Sequence, residues 1–286
     1  MRNARFLLPV PFLVAIGCFF TGTHFTSCNK TTTTHDTAVA KTDTLITLDT
    51  LHDINSGLVA YYNFNNGSLN DSSGFGNNIS FNNATPTTDR NGIANNAYLF
   101  DGATTYMSVP NSLSLNPNMI TLYAIIRING FSTESCHGNS LLYKGGGGDA
   151  VNGIYILRFS DVNGCNSSTV DTTKEFIYGD YGDNSNAGSL VAFGDTYENY
   201  IHTGTWYKVA FTFDGNWAKM YINGQLVGSV AKTDSFTPNT SPLLIGKIIS
   251  PAQGGEDWFN GVVDEVRIYN RALTTSEIQV LGSQTE

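Results

Sequence analysis

The chain has 286 residues, 41% hydrophobic and 14% charged, with a formal net charge of −9. This composition suits one large all-β domain better than a disordered or helical chain. No basic stripe exists to neutralise phosphates, which excludes nucleic acid as a partner.

The first segment, MRNARFLLPVPFLVAIGCFF, sets Arg2 and Arg5 ahead of an apolar core from Phe6 to Phe20. That core is too short and too Pro-rich for a transmembrane helix, and residues 1–27 read as a signal peptide. In TGTHFTSCNK, Cys28 follows small residues just past the core and resembles the processing site of a bacterial lipoprotein, where the cysteine becomes the lipidated N-terminus. Phe25 departs from that pattern, standing where leucine is commonest, so ordinary signal-peptidase cleavage stays an alternative. The resemblance implies an outer-membrane lipoprotein at the cell surface, touching the membrane only through its lipid anchor; a secreted or periplasmic protein is the other location. Residues 28–56 are Thr-rich, lack aromatics, and read as a linker holding the domain away from its anchor. DTA and two DTL tripeptides within it resemble acceptors of a bacterial O-glycosylation system at Thr37, Thr44 and Thr50, a pattern that a Thr-rich tract also produces by chance.

From Gly57 to the end, short runs of strand composition recur between Gly, Asn, Asp and Pro: LVAYYNF, NISFN, NAYLF, TYMSV, MITLYAIIRI, LLYK, IYILRF, KEFIYG, LVAF, WYKVAFTF, WAKMYI, QLVGSVA, PLLIG and VVDEVRIY. That cadence predicts an all-β sandwich over residues 57–286. DGN at Asp214–Asn216 and NG at Asn223–Gly224 predict a three-stranded meander. Cys136 and Cys165 flank the turn KGGGGDAVNG almost symmetrically; residues equidistant from a hairpin turn face each other, so an exported chain is expected to join them in a disulfide rather than leave two buried thiols. TTSE at Thr274–Glu277 is a capping box opening one short C-terminal helix.

In GVVDEVRIY, strand alternation puts Asp264 on one face with Val262, Val266 and Ile268. A buried carboxylate requires a partner, and three are open: backbone N–H groups, an arginine or a metal ion. Catalytic patterns are missing. The glutamates occur singly, without the paired carboxylates that retaining glycosidases need. His137 and His202 form no HExxH, no GxSxG elbow exists, and KGGGGDAVNG lacks the ending that phosphate cradling requires. Binding fits better: YGDYGDNSNAGSLVAFGDTYENY combines aromatics for stacking with amide and carboxylate groups for hydroxyls. Tyr181, Asp183, Asn184, Tyr197 and Asn199 are the glycan-binding candidates, with Trp217 and Trp258 as outlying aromatics; an ordinary loop with tyrosines packed on the sheet edge is the competing reading.

Four segments, LVAYYNFNNGSLNDSSGFGNN, AYLFDGATTYMSVP, GTWYKVAFTFDGNWAKMYINGQLVG and FNGVVDEVRIYNRALTTSEIQVL, occur in the order and spacing of the LamG-like jelly-roll domains, and the chain resembles that family of the concanavalin A-like lectin/glucanase superfamily. The resemblance implies an antiparallel two-sheet jelly roll and places Trp206 in the core. It also implies a structural Ca2+ held by Asp264, with Asp101 as second ligand and Gly- and Asn-rich loops such as FNNGSLND and FDGATT nearby; the alternative is Asp264 satisfied by backbone N–H groups. The implied function is a non-catalytic surface module that binds glycan. An adhesion or protein-interaction module, with a surface protein as partner, and a polysaccharide-active enzyme with an unrecognised site are the alternatives.

Overall fold

Alternating apolar residues broken by turn formers build eighteen strands among the described residues of the computed structural model, which are 54–132, 138–145, 154–160, 174–183, 191–193, 201–250 and 255–284. They are β1 Leu58–Tyr62, β2 Phe81–Asn82, β3 Thr85–Thr87, β4 Ala97–Asp101, β5 Met107–Val109, β6 Ile120–Ile128, β7 Asn139–Lys144, β8 Ile154–Ser160 and β9 Lys174–Gly182. The rest are β10 Val191–Phe193, β11 Ile201–His202, β12 Trp206–Phe213, β13 Trp217–Ile222, β14 Gln225–Ala231, β15 Leu243–Ile245, β16 Lys247–Ser250, β17 Gly255–Trp258 and β18 Asn260–Tyr269. One helix, α1 Thr275–Ser283, follows.

The first sheet runs β14-β13-β12-β6-β18-β4-β3, with β1 also on β18; the second runs β10-β9-β8-β7-β15-β5-β2, with β11 also on β9. Every pairing is antiparallel, and β16 and β17 make a separate hairpin. Inward residues of both sheets, among them Phe100, Leu122, Tyr155, Phe159, Phe211 and Phe213, form the main core. This is the expected sandwich, and the β12–β13–β14 meander is the expected one. Asn223 and Gly224 both take positive φ, as a tight two-residue hairpin demands.

A second apolar cluster covers the outer face of the first sheet, where Tyr123, Ile125, Tyr221 and Tyr269 meet Ile278 and Leu281 of α1. Thr274 caps that helix and Glu277 completes the capping box, as TTSE predicts. Trp206 packs beside this cluster with Arg127 5.2 Å from its ring centroid, so it serves the outer cluster rather than the space between the sheets.

Strand β18 departs from simple alternation. Its register against β6 slips between Val263 and Glu265, which leaves Asp264 as a bulge residue. Val263, Val266 and Ile268 all reach the main core. The bulge therefore reverses parity, and Asp264 does not share the face of Val266 and Ile268 as the even spacing predicts.

Candidate functional site

On the outer face of the second sheet, Tyr143, Ile156 and Leu244 form a third apolar cluster that Ile248 of β16 covers. The hairpin pairs Lys247 with Trp258 and thereby brings both to the rim of that cluster, beside Tyr106. The Tyr106 and Trp258 rings meet edge to face at 6.1 Å and 61°. Phe81, from β2, lies 4.7 Å from Tyr106 at 33° and keeps 43% of its surface exposed. Lys247 Nζ sits in the angle between two rings, 4.4 Å from the Trp258 centroid and 4.8 Å from that of Tyr106. Three rigid aromatics and one ammonium thus form an open corner. Such surfaces give large contact area at small entropic cost, and the ammonium adds positive charge beside the rings.

Of the predicted glycan-binding residues that are described, only Trp258 lies in this corner. Tyr181 is a correction: it is 1% exposed, stacked between Phe213 at 4.6 Å and Phe236 at 4.9 Å, with its hydroxyl donating to the Pro117 carbonyl. No ligand reaches it. Asp183 accepts from Thr237 N–H at 2.7 Å, Thr237 Oγ1 at 2.6 Å and Ser235 Oγ at 3.1 Å, which ties the chain after β14 to the end of β9. Trp217 is 46% exposed at the start of β13, in the first sheet, away from Trp258. Asn184, Tyr197, Asn199, Cys28, Cys136, Cys165, Thr37, Thr44 and Thr50 lie outside the described residues.

Asp264 finds two of its three possible partners. Its Oδ2 accepts from the Arg90 guanidinium at 2.6 Å and from the Arg90 backbone N–H at 3.3 Å, and its side chain is 5% exposed. Burial raises its carboxyl above the usual range even with Arg90 beside it. Asp101 stands opposite Asn260, four residues from Asp264 along β18, so the two acids are separated by roughly 13 Å of strand. The Asp101 carboxylate instead accepts from the N–H groups of Ala103, Thr104 and Thr105 and from both threonine hydroxyls. Slight burial would raise its pKa; these hydrogen bonds outweigh that and hold it well below the usual range. The pair does not converge on one ion. Among the described residues no three His, Cys, Asp or Glu side chains do. A guanidinium already neutralises the Asp264 carboxylate, so the set does not suit the six to eight oxygens of a calcium ion.

Phe81, Tyr106 and Lys247 escaped the sequence reading because they are far apart in the chain, and KIIS and GEDW carry too few apolar residues to announce a hairpin.

A family model described as the concanavalin A-like lectin/glucanases superfamily matches residues 101–279. No curated protein matches the chain. Among solved structures, domain 4 of AbnA, a GH43 extracellular arabinanase from Geobacillus stearothermophilus in complex with arabinotriose, is 21% identical with a TM-score of 0.53 and covers 79% of this chain and 98% of that one. The binding domain of Paraclostridial Mosquitocidal Protein 1 is 16% identical with a TM-score of 0.59, over 80% of this chain and 52% of that one. A botulinum neurotoxin type C structure, whose cell entry is described as dependent upon interaction with two ganglioside molecules, is 14% identical with a TM-score of 0.56, over 81% and 52%. The chain thus spans about half of the toxin chains, and at these identities the likeness is one of fold.

Proposed function

Because the chain belongs to the concanavalin A-like lectin/glucanase superfamily, we propose that its jelly roll is a non-catalytic module that binds glycan at the corner formed by Phe81, Tyr106, Trp258 and Lys247. The observation that carries this reading is the aromatic corner with its ammonium, where Phe81 is exposed and Tyr106 and Trp258 are half-buried at the rim of the third cluster, outside the main core. A sugar ring stacks its C–H face on the aromatics while Lys247 donates to ring or hydroxyl oxygens. The arabinotriose complex of the arabinanase domain and the ganglioside dependence of the toxin support a saccharide as the class of ligand. The sequence supports the rest of the assignment: a lipid on Cys28, a Thr-rich stalk over residues 28–56 and a disulfide between Cys136 and Cys165 in an exported domain.

The test is a glycan array probed with the full chain and with Trp258→Ala and Phe81→Ala. Binding to at least one glycan, weakened about fivefold or more by Trp258→Ala while the melting temperature holds, is expected, since a stacked aromatic is worth about 1–3 kcal/mol. Silence on the array, with a single protein recovered by pull-down and lost in the same variants, would make the corner a protein-interaction site instead. For the anchor, Cys28→Ala should move the protein out of the membrane fraction.

A further inference from the structure

On the side away from β6, β18 has two partners set end to end: β4 along Asn260–Val263 and β1 along Val266–Tyr269. β1 ends at Tyr62 and β4 begins at Ala97, so the sheet is interrupted beside the bulge at Asp264. The loops leaving those two strand ends flank the break, and a cavity of about 180 Å3 opens between them. By liquid volume that is room for about six waters, the space of one sugar ring rather than a chain.

The walls are preformed. Gly67 N–H donates to Asn95 O at 2.6 Å, Asn66 N–H to Asn96 Oδ1 at 2.9 Å, and Tyr98 hydroxyl to Gly67 O at 2.8 Å, which ties one loop to the other. Phe64, Asn66 and Asn95 hold φ of 52°, 56° and 61°, three of the four positive-φ residues other than glycine among those described. Such backbone costs about 1–3 kcal/mol each and persists where the surroundings hold it.

The lining defines the ligand. Asp264 is paired with Arg90 and Glu265 with Arg267 at 2.6 Å, so neither offers net charge. Asp89 is held by the N–H groups of Asn91 and Ile93, both at 2.8 Å, and adds negative charge that repels anions. The side-chain amides of Asn65 and Asn91 and the Nδ2 of Asn63 make no hydrogen bond with the described residues, and Asp264 Oδ1 is likewise unused. Amides that both donate and accept, next to one carboxylate oxygen, match vicinal hydroxyls, which also do both.

We propose that this cavity is a second binding site, on the opposite sheet from the aromatic corner and independent of it, that takes a single neutral sugar ring and rejects acidic ones. The probes are methyl glycosides of arabinose, galactose and glucose, with glucuronate and sialic acid as anionic counterparts, titrated into the full chain by calorimetry and saturation-transfer NMR. At least one neutral glycoside should bind, and Asn65→Ala and Asn91→Ala, both at exposed positions, should each weaken it about two- to tenfold. Trp258→Ala should leave that binding unchanged, which separates this site from the corner. The proposal falls if no neutral glycoside shows binding that depends on Asn65 and Asn91. It also falls if the acidic sugars bind with the same dependence, or if calcium chloride alone binds and the two substitutions abolish it.

Discussion

Lys144 ends β7 with no exposed surface, yet its Nζ has only neutral partners: Asn116 Oδ1 at 3.0 Å, Asn239 Oδ1 at 2.8 Å and Asn239 O at 3.3 Å. Burial lowers its pKa from 10.5 to about 8. Between those values the unfolded chain still binds a proton that the folded chain has released, so stability should rise as pH increases above about 8. Above pH 10.0 the slope should reverse, because burial raises the hydroxyls of Tyr62, Tyr155 and Tyr181 above that ordinary value and the unfolded phenols ionise first. Lys144→Met should remove the alkaline rise and cost about 1–3 kcal/mol at neutral pH by removing the ammonium's hydrogen bonds to Asn116 and Asn239, whose amide oxygens keep the backbone N–H groups of Asn239 and Ser241. Urea melts from neutral pH to about pH 10 would show both effects, and an equal alkaline rise in the methionine variant would assign it elsewhere.

At the scale of the element, β18 shows what sequence reading captures and misses. Its length, its apolar content and the capping box of the helix behind it follow from VVDEVRIY and TTSE, because both signals are local. The bulge does not, since nothing in VVDEV marks which residue will be skipped by β6; yet that one slip decides which face Asp264 takes. Its partner, Arg90, comes from a loop 174 residues away in the chain, and the sequence offered it only as one of three classes. With a guanidinium in that place, removing it should strand a buried carboxylate and cost about 3–5 kcal/mol. Arg90→Ala and Asp264→Ala should each destabilise strongly, and the double variant should cost less than their sum. Chelator and added calcium should leave the wild-type melting temperature unchanged; a drop with chelator that calcium reverses would put a metal where the geometry puts Arg90.

Across the whole molecule, the cadence of fourteen apolar runs was enough to read two antiparallel sheets, because each run carries its own period and its own turn residues. Which aromatics remain outside was not readable, since Tyr181 and Trp258 sit in equally polar surroundings in sequence and only the packing of the sheets separates them. That packing is tight where β9 crosses β12. Tyr181 stacks on Phe213, and two residues earlier on the same face Gly179 leaves room for the ring of Phe211. A Cβ at Gly179 would lie 2.7 Å from Phe211 Cγ and 2.8 Å from Cε2, closer than side-chain carbons approach. Phe211 is fully buried in the main core, so its ring cannot swing into solvent, and either the ring leaves its rotamer or the two sheets move apart. Gly179→Ala should therefore destabilise by about 1–3 kcal/mol with an unchanged denaturant slope, the signature of overpacking in a fold that stays cooperative. Adding Phe211→Leu should recover part of that loss, although the leucine change alone is destabilising, because the smaller side chain gives back the space the methyl group takes. Additive costs in the double variant would mean that Gly179 is required for its backbone and not for the closeness of the two sheets.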